Sequence, residues 1–220
     1  METLLEGLLP PSVQIAGAPI SDHVAALLPE ERPFVEKAVA KRQREFATGR
    51  VLARGLLARL GHPDFPLLRA EDRLPVWPEG IVGSISHASH ACLAAVAESR
   101  VAGGIGVDLE PDEPVDADIE RVVCRDGEHA WVAAEGESER GRRRRIVFSV
   151  KEAVYKAFYP RTRTFWSFQD VRVEIDLGAE RWRAFLPESA GVAEADGRVA
   201  LRDGWIVSAI ALPPFPPRLG

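Results

Sequence analysis

Residues 104–110 read Gly-Ile-Gly-Val-Asp-Leu-Glu, a short apolar run that begins with glycine and ends in two acids. Its β-branched residues, with Gly103 before it and Pro111 after it, predict a strand that ends at Glu110. Successive side chains of a strand point to opposite faces, so we expect Asp108 and Glu110 to point one way and the apolar residues to point into the core. Two carboxylates held this close repel each other unless a cation lies between them.

A hard divalent metal is the cation that suits this pair of acids. Oxygen ligands without a partnering Cys or a spaced His favour Mg2+ over zinc, and Mg2+ usually completes its shell with water and substrate phosphates. For the Asp-Leu-Glu tripeptide alone, the alternative is a solvated turn that binds nothing.

A second motif lies at residues 148–158, which read Phe-Ser-Val-Lys-Glu-Ala-Val-Tyr-Lys-Ala-Phe. At helical spacing Glu152 and Lys156 share one face, and the predicted core stripe consists of Val147, Val150, Val154 and Phe158. Taken alone, Glu152 and Lys156 can also be a surface ion pair, which contributes only about 0.2–0.5 kcal/mol.

The composition describes an ordinary globular protein. The chain has 220 residues, 46% of them hydrophobic, which is enough for one domain or two small ones. Its formal net charge of -5 argues against general nucleic-acid binding. Two cysteines without metal or redox spacing, an N-terminus without a basic leader and no apolar run of membrane-spanning length indicate a cytoplasmic protein that is neither exported nor inserted into a bilayer.

The first half is predicted to contain one helix, from about Glu31 to Leu60, with a break near Thr48. The segments around this helix are expected to be an extended lead-in at 7–20, a proline-rich loop at 62–80, and strands at 81–87 and 91–97. The strand of Asp108 follows.

The second half is predicted to repeat this order of elements. We expect a helix at 116–134, a charged linker at 135–145, and a helix from Ile146 to Tyr159. Strands are expected at 171–177, 181–186 and 205–212, before an extended proline-rich tail at 213–217. No residue-by-residue repeat is visible, so an internal duplication is a hypothesis.

Together the two motifs are more specific than either alone. Asp108, Glu110 and Glu152 can form an oxygen cage for Mg2+, and Lys156, with Lys151, His87 and several arginines, supplies positive charge near it. Carboxylates alone would repel a phosphate, and cations alone would need no acids. A metal-bridged pyrophosphate uses both.

With these motifs the chain resembles the phosphopantetheinyl transferase superfamily, in its Sfp/EntD-like branch. The family's two signatures stand here at 106–110, Gly-Val-Asp-Leu-Glu, and at 148–157, Phe-Ser-x-Lys-Glu-Ala-x-Tyr-Lys-Ala. Further matches are Trp-Pro-x-Gly at 77–80, Ser-Ile-Ser-His at 84–87, and Arg42 to Arg50 with Glu45 and Phe46 between them. The resemblance covers roughly Lys41 to Tyr159.

The resemblance implies transfer of 4'-phosphopantetheine from coenzyme A to a serine hydroxyl of an apo acyl or peptidyl carrier protein, with release of adenosine 3',5'-bisphosphate. The carriers of siderophore-making peptide synthetases, of polyketide synthases and of fatty-acid synthase are all open as substrates.

Residue roles are implied by position in the motifs. Asp108, Glu110 and Glu152 would bind Mg2+, and Glu152 would also be the general base that takes the serine proton, directly or through a metal-bound water. Lys156 would stabilise or protonate the leaving group, and His87 joins these two as a catalytic residue. Coenzyme A phosphates would be held by Ser86, His87, Lys151 and Lys156, and the 3'-phosphate and adenosine by Arg42, Arg50 and Arg69.

The fold implied by the resemblance is a pseudo-duplicated α+β architecture, in which two similar subdomains each pack helices on a small antiparallel sheet. We expect an N-terminal subdomain at 1–110, with the 3'-phosphate clamp and the metal strand. A C-terminal subdomain at 111–220 would carry the catalytic helix and the surface that docks the carrier. Members of this branch are typically monomers with the site between the halves, and a monomer is expected here.

Two features need separate interpretation. Asp72 stands where related sequences tend to carry a second basic residue, and the neighbouring Arg73 can replace it. The four arginines at 142–145 have two interpretations, as a solvated linker or as a docking patch for an acidic carrier-protein helix.

Two other classes of function are less favoured. A non-catalytic module that binds coenzyme A or a carrier protein would not need all three acids and both lysines. An unrelated Mg2+-dependent nucleotide enzyme is disfavoured because the chain has no G-x-x-x-x-G-K-[ST] loop and no G-x-G-x-x-G turn.

Overall fold

A computed structural model describes residues 2–214 as helices packed on antiparallel sheets. The helices are α1 Glu2–Leu5, α2 Ala40–Arg59, α3 Asp118–Val123, α4 Asp126–Ala133 and α5 Glu137–Thr162. The strands are β1 Gln14–Pro19, β2 Ile81–His87, β3 Ala91–Glu98, β4 Gly104–Pro111, β5 Arg172–Asp176, β6 Arg181–Phe185, β7 Glu194–Arg202 and β8 Trp205–Leu212. The predicted mixture of helices and antiparallel sheets is confirmed.

Two sheets divide the strands. The first has the order β1-β3-β2, and the second has the order β4-β8-β7-β6-β5. Strand β4 therefore pairs with β8, at Asp108 opposite Ser208, although it precedes the second half in sequence. The first sheet packs against α2, and the second against α5.

Strand β4 has the predicted alternation of faces. Ile105, Val107 and Leu109 are each at most 1% exposed and pack into one hydrophobic cluster with Leu4 and Leu93. The opposite face begins with two glycines and continues with the two acids. The strand that ends in Asp108 and Glu110 is thus confirmed.

Helix α5 lies directly on the glycine face of β4. A Cβ atom on Gly106 would be 1.8 Å from the carbonyl oxygen of Ala153, and one on Gly104 would be 2.5 Å from that of Ala157. The predicted core stripe of Val147, Val150, Val154 and Phe158 is buried on another side of the helix. Small residues in both elements therefore set the close approach that brings α5 beside the acids.

Side chains of β2 join the two sheets along the free edge of β4. The Ser84 hydroxyl accepts a hydrogen bond from Val107 N (3.1 Å), and the Ser86 hydroxyl accepts one from Leu109 N (3.2 Å). Buried backbone N–H groups need such partners. The N–H groups of Val107 and Leu109 point away from β8, and these two serines accept their hydrogen bonds.

In the first half, the predicted helix start near Glu31 and the break near Thr48 are wrong, whereas the predicted end near Leu60 is confirmed, because α2 ends at Arg59. A short 3-10 helix covers Arg32–Phe34, and α2 begins only at Ala40 and runs without interruption. Thr48 stays inside α2, where its hydroxyl accepts a hydrogen bond from Ser21 N and donates one to Ser21 O, each 3.2 Å long. Of the predicted lead-in, the part that forms a strand is Gln14–Pro19.

In the second half, the predicted linker at 135–145 is wrong because α5 begins at Glu137. The helix predicted at 116–134 is two helices, α3 and α4, which meet at Cys124 and Arg125. Strand β7 was not predicted, whereas strands β5, β6 and β8 were. Most of the predicted extended tail lies outside the described residues.

The four arginines at 142–145 bind other parts of the chain. Arg142 Nε and Nη2 each lie 2.5 Å from the Asp112 carboxylate, and Arg144 Nε lies 2.6 Å from Glu120. Arg143 donates to Trp131 O and Glu135, and Arg145 to Glu113 O and Glu110. These contacts hold the start of α5 against residues 110–135, so the segment is not a solvated linker. Docking of a carrier protein by these arginines stays a prediction.

No helix within residues 2–214 is both long and apolar enough to cross a membrane.

Candidate active site

Asp108 is the buried centre of the site, with only 3% of its surface exposed. Its Oδ1 accepts hydrogen bonds from Lys156 Nζ (2.6 Å) and from Ser86 Oγ (3.0 Å). Its Oδ2 is the one buried side-chain nitrogen or oxygen, among those described in residues 2–214, that has no hydrogen-bond partner. Leaving a buried carboxylate oxygen without a partner is unfavourable, so this atom suits a bound cation.

Ser86 belongs to the internal network of the chain. Its hydroxyl donates to Asp108, and it accepts from Leu109 N (3.2 Å) and from Lys156 Nζ (3.1 Å). A hydroxyl offers one donor and two acceptor positions, and all three are used here. The predicted contact of Ser86 with a ligand phosphate is therefore not supported, and its place is to orient Asp108 and Lys156.

Glu152 and Glu110 lie close enough to Asp108 for their charges to interact. Burial raises the pKa of Glu152, repulsion by Asp108 and Glu110 adds to the increase, and Lys156 opposes it. Burial and then Asp108 raise the pKa of Glu110, against the hydrogen bond that Arg145 Nη1 donates to its Oε2 over 2.7 Å. Lys156 contacts Asp108, and the charges of Glu110 and Glu152 act on the same carboxylate. Binding of one metal ion by all three acids stays a prediction.

The three carboxylates do not form a closed cage on their own. Within residues 2–214, no three His, Cys, Asp or Glu side chains are grouped closely enough to hold a metal ion. Lys156 holds one oxygen of Asp108, and Arg145 holds one oxygen of Glu110. Each acid keeps its second oxygen, and all three donors are of the hard type that Mg2+ prefers. The donor chemistry and the unpartnered Asp108 Oδ2 therefore fit this metal.

The raised pKa of Glu152 predicts a pH-dependent effect of Glu152→Gln on stability without divalent cations. A glutamate whose pKa is raised by folding binds its proton more tightly when folded, so its contribution to the free energy of unfolding decreases as pH rises from the ordinary value, about 4.3, through the folded value. Glutamine does not titrate. We expect the stability of the variant relative to wild type to increase with pH over this window and then level off. Urea unfolding with EDTA, from about pH 4 to about pH 8, measures the difference, and a constant difference would contradict the raised pKa.

His87 lies at the end of β2 with its side chain 38% exposed, and it contacts Arg42 and Glu45 of α2. Its Nε2 lies 2.6 Å from Arg42 Nη1, which can only donate, so this ring nitrogen is the acceptor. Glu45 Oε2 lies 3.3 Å from the same Arg42 nitrogen and 3.8 Å from His87 Nδ1. Burial and then Arg42 lower the pKa of His87, against the attraction of Glu45. The structure brings the predicted pair Arg42 and His87 together.

Arg50 and Arg69 lie near Arg42, and we call these three arginines with Arg54 the positive region. Arg50 is 6% exposed, donates from Nε to Leu67 O (2.7 Å), and lies 4.1 Å over the Phe46 ring. Burial lowers the pKa of Arg50 to about 10, with Glu31 opposing and the nearby Arg42, Arg69 and Arg54 adding to the decrease. Arg69 has no carboxylate partner among residues 2–214. The guanidinium groups of the positive region thus lie near one another, and Arg42 connects them to His87.

Lys151 is separated from this positive region and requires a correction. Its side chain is 1% exposed, and Nζ donates to Glu128 Oε2 (2.7 Å), Val123 O (2.7 Å) and Phe168 O (2.8 Å). Burial lowers the pKa of Lys151, and the hydrogen bond to Glu128 raises it. All three protons of the ammonium group are used inside the chain, so the predicted contact with ligand phosphates is not supported.

Two cavities border the part of α5 that carries Glu152 and Lys156. The first, which we call the aromatic cavity, has a volume of about 520 Å³ and is lined by Val122, Lys151, Glu152, Tyr155, Phe165 and Phe168, among others. The second, about 460 Å³, is bordered by Arg73, Trp77, Gly104, Lys156 and Arg163, among others. Glu152 and Lys156, one turn apart on the helix, therefore face different cavities.

Several contacts of the site were not assigned by sequence reasoning. Arg145 holds Glu110, Arg54 contributes to the positive region, and Glu45 contacts both Arg42 and His87. For Arg145 the sequence held one clue, which is that the four arginines directly precede the second motif and belong to the same helix. The other contacts depend on tertiary packing.

Comparisons with known proteins agree with the geometry. A family model for the 4'-phosphopantetheinyl transferase N-terminal domain matches residues 30–97, and one for the 4'-phosphopantetheinyl transferase superfamily matches residues 104–208. The 4'-phosphopantetheinyl transferase Svp of Streptomyces mobaraensis is 38% identical over 202 residues, which cover 87% of this chain and 80% of Svp. PptT of Mycobacterium tuberculosis is 32% identical over 184 residues, covering 82% of this chain and 81% of PptT. Enterobactin synthase component D of Salmonella typhimurium is 31% identical over 144 residues, 60% of this chain and 55% of that protein.

The matched regions include both acidic motifs and the helix that carries Glu152 and Lys156. Similarity to Svp extends over most of both chains. The chain therefore belongs to the 4'-phosphopantetheinyl transferase superfamily and is a 4'-phosphopantetheinyl transferase.

Proposed function

We propose that the chain transfers 4'-phosphopantetheine from coenzyme A to a serine hydroxyl of an apo acyl or peptidyl carrier protein, with Mg2+, and releases adenosine 3',5'-bisphosphate. The observation that carries the proposal is the position of Glu152. It borders the aromatic cavity and interacts electrostatically with Asp108 and Lys156. A carboxylate that could act as base, the Lys156 cation and a cavity with an aromatic wall are thus close together.

The nucleotide end of coenzyme A is assigned to the positive region around α2. Arg42, Arg50 and Arg69 would hold the 3'-phosphate, and His87 would contact the pyrophosphate. Arg50 has no acceptor for its terminal nitrogens among residues 2–214, since its one hydrogen bond is made by Nε. Arginine can engage a dianionic phosphate through two parallel hydrogen bonds, so these nitrogens suit that group.

Mg2+ would be held by Asp108, Glu110 and Glu152. When bound, it would neutralise charge on the pyrophosphate during transfer. Lys156 and Arg145 each hold one oxygen of Asp108 and Glu110, which fixes the direction of the oxygens that remain.

Proton transfer is assigned to Glu152. A base is most effective when its pKa approaches the working pH, and burial raises the pKa of Glu152 in that direction. The incoming serine would lose its proton to the Glu152 carboxylate. Lys156 would place its positive charge on the phosphate that is attacked and stabilise the leaving group.

The pantetheine arm is assigned to the aromatic cavity. The arm is long, with methyl and methylene groups on either side of its two amides, and the wall formed by Tyr155, Phe165 and Phe168 is largely aromatic. The rim also exposes Val122 by 59% and Phe165 by 76%, and beside them the side chain of Arg121 is 80% exposed. Arg121 is paired with Asp118 at 2.7 Å, and an exposed apolar rim beside such a pair suits the approach of a carrier protein.

The two halves are proposed to be a pseudo-duplication, with subdomains at 1–110 and 111–220. The order β1-β3-β2 corresponds to β4-β8-β7, and α2 and α5 occupy corresponding places before the second strand of each set. Strand β4 pairs with β8 in the five-stranded sheet, so this correspondence places β4 in the second repeat, although the boundary proposed at residue 110 follows it. A monomer in the cytoplasm stays a prediction.

Intact-protein mass spectrometry tests the proposed reaction. An apo carrier protein incubated with this chain, coenzyme A and Mg2+ is expected to gain the mass of one phosphopantetheine arm. The gain should be lost with EDTA, and with a carrier in which the acceptor serine is alanine. If the folded chain binds coenzyme A but modifies none of several carrier types, the alternative of a non-catalytic binding module replaces this proposal.

A further inference from the structure

Lys151 and Glu128 form a buried ion pair in which every hydrogen-bonding position of the lysine is occupied. Both residues are 2% exposed, and their charged atoms are 2.7 Å apart. Besides the lysine, Glu128 accepts hydrogen bonds from two backbone groups, Arg125 N (2.7 Å) and Val173 N (2.6 Å). The pair therefore connects α4, α5 and the start of β5 at one point.

The lysine also joins the two walls of the aromatic cavity. One wall is the end of α3, where Nζ donates to Val123 O, and the other is the segment before β5, where it donates to Phe168 O. Gln169 makes a second, exposed link between the same walls, because its Nε2 donates to Val122 O and Cys124 O, each at 2.9 Å. Glu152 is the next residue after Lys151, so the link is anchored beside the proposed base.

An equivalent arrangement occurs in the first half of the chain. Glu31 is 0% exposed, and it accepts hydrogen bonds from Arg54, from Leu28 N three residues before it, and from the distant Leu67 N. Glu128 likewise accepts from the N–H three residues before it and from a distant N–H. The glutamate and its cation are 23 residues apart in both cases. In the first half this pair holds Leu67, whose carbonyl accepts the Nε proton of Arg50.

We propose that Lys151, together with Glu128, is a positioning residue that fixes the width of the aromatic cavity and thereby places the pantetheine arm relative to Glu152. Glu31 and Arg54 would likewise be positioning residues, because they hold Leu67 and through it Arg50, one of the arginines proposed to bind the 3'-phosphate. The inference rests on the proposed function. In this inference Lys151 positions the pantetheine arm and does not bind the phosphates of coenzyme A.

Two ligands separate these roles, because adenosine 3',5'-bisphosphate has the adenosine and 3'-phosphate of coenzyme A but no pantetheine arm. We would measure the Kd of each by titration calorimetry for wild type, Lys151→Met and the matched control Arg54→Met. For Lys151→Met we expect the ratio of the coenzyme A Kd to the bisphosphate Kd to rise by about tenfold. For Arg54→Met both Kd values should increase and their ratio should stay within about twofold of wild type.

Kinetics give a second readout that a purely structural role would not produce. In Lys151→Met, a displaced arm should lower kcat in addition to raising KM for coenzyme A, since a small misplacement at the reacting centre reduces rates by about a hundredfold. If Lys151→Met does not fold, Gln169→Leu removes the exposed link between the same walls and should raise the Kd ratio by about threefold.

The outcomes are distinct. An equal loss of both ligands in Lys151→Met would assign Lys151 to phosphate binding and overturn the inference, while the proposed function would stand. If the Kd values of both ligands stayed unchanged in the folded variant, the inference would also be overturned. If wild type itself failed to bind coenzyme A, the proposed function would fall and the inference with it.

Discussion

Replacing Glu152 by glutamine is expected to lower kcat for phosphopantetheine transfer by about a hundred- to ten-thousandfold, the range that general acid–base catalysis usually contributes. Glutamine has nearly the same size as glutamate but cannot accept the serine proton. It also removes a negative charge from the acids proposed to hold Mg2+. Both effects act on the chemical step, so single-turnover transfer, followed by the mass of the carrier protein, is the measurement.

Binding of coenzyme A should be largely unchanged in the same variant. The groups proposed to hold the nucleotide lie on α2 and near His87, and the walls of the aromatic cavity are fixed through Lys151 and Gln169. Glu152 is not part of either connection. Without metal, we expect the Kd of coenzyme A to stay within about threefold of wild type.

The matched control is Glu113→Gln, the same chemical change at an exposed position three residues after Glu110. It should leave kcat and Kd unchanged. A folded Glu152→Gln protein that turns over within about tenfold of wild type would remove Glu152 from the role of base. Loss of coenzyme A binding along with turnover would instead make Glu152 part of the binding surface.

Residues 104–110 and 148–158 could be interpreted from sequence because the positions that are apolar in the local pattern are the ones buried in the fold. In β4 the alternation of Val107, Asp108 and Leu109 is a property of any strand, and the fold keeps the apolar side inward. In α5 the spacing of Val150, Val154 and Phe158 determines which face is buried, and this leaves Glu152 and Lys156 on another face. The site was therefore predictable wherever adjacent positions in one element determined it.

Contacts between distant elements could not be predicted in this way. Ser86 and Lys151 are polar residues within recognisable motifs, but their partners are 22 residues away at Asp108 and 17 residues away at Phe168. The start of α5 looked like a linker because its arginines have no apolar periodicity. It is a helix because Arg142 and Arg144 find acidic partners at Asp112 and Glu120.

Strand β7 shows the same limitation for a sheet. Its sequence includes Asp196 and Gly197, which are unfavourable in strands. In the fold Gly197 is required, because a Cβ atom there would be 2.1 Å from the ring of Trp182. Asp196 is exposed and pairs with Arg183 on the neighbouring strand at 2.8 Å. Neighbouring strands thus explain both residues, and they are not visible in the local pattern.

Gly106→Ala is expected to lower the free energy of unfolding by about 3 kcal/mol or more, at the upper end of what overpacking usually causes. The new methyl group would lie 1.8 Å from the carbonyl oxygen of Ala153 and 2.9 Å from the backbone nitrogen of Ala157. Both atoms belong to the backbone of α5, so no side-chain rotation relieves the clash and the helix must move away from β4. Urea unfolding measures the loss of stability. Transfer should also slow by about a hundredfold, because the movement shifts Glu152 and Lys156 relative to Asp108.

Gly55→Ala is the matched control, because it makes the same substitution where the structure leaves room. Gly55 lies in α2 at an exposed position, and a Cβ atom there meets nothing within 4 Å. Alanine is a better helix former than glycine, so this variant should gain about 0.5–1 kcal/mol. Opposite signs for the two substitutions would show that the effect at Gly106 comes from the contact with α5. If Gly106→Ala instead unfolded within about 0.5 kcal/mol of wild type, α5 would not lie on β4 at this distance, and the grouping of Glu152 with Asp108 would lose its structural basis.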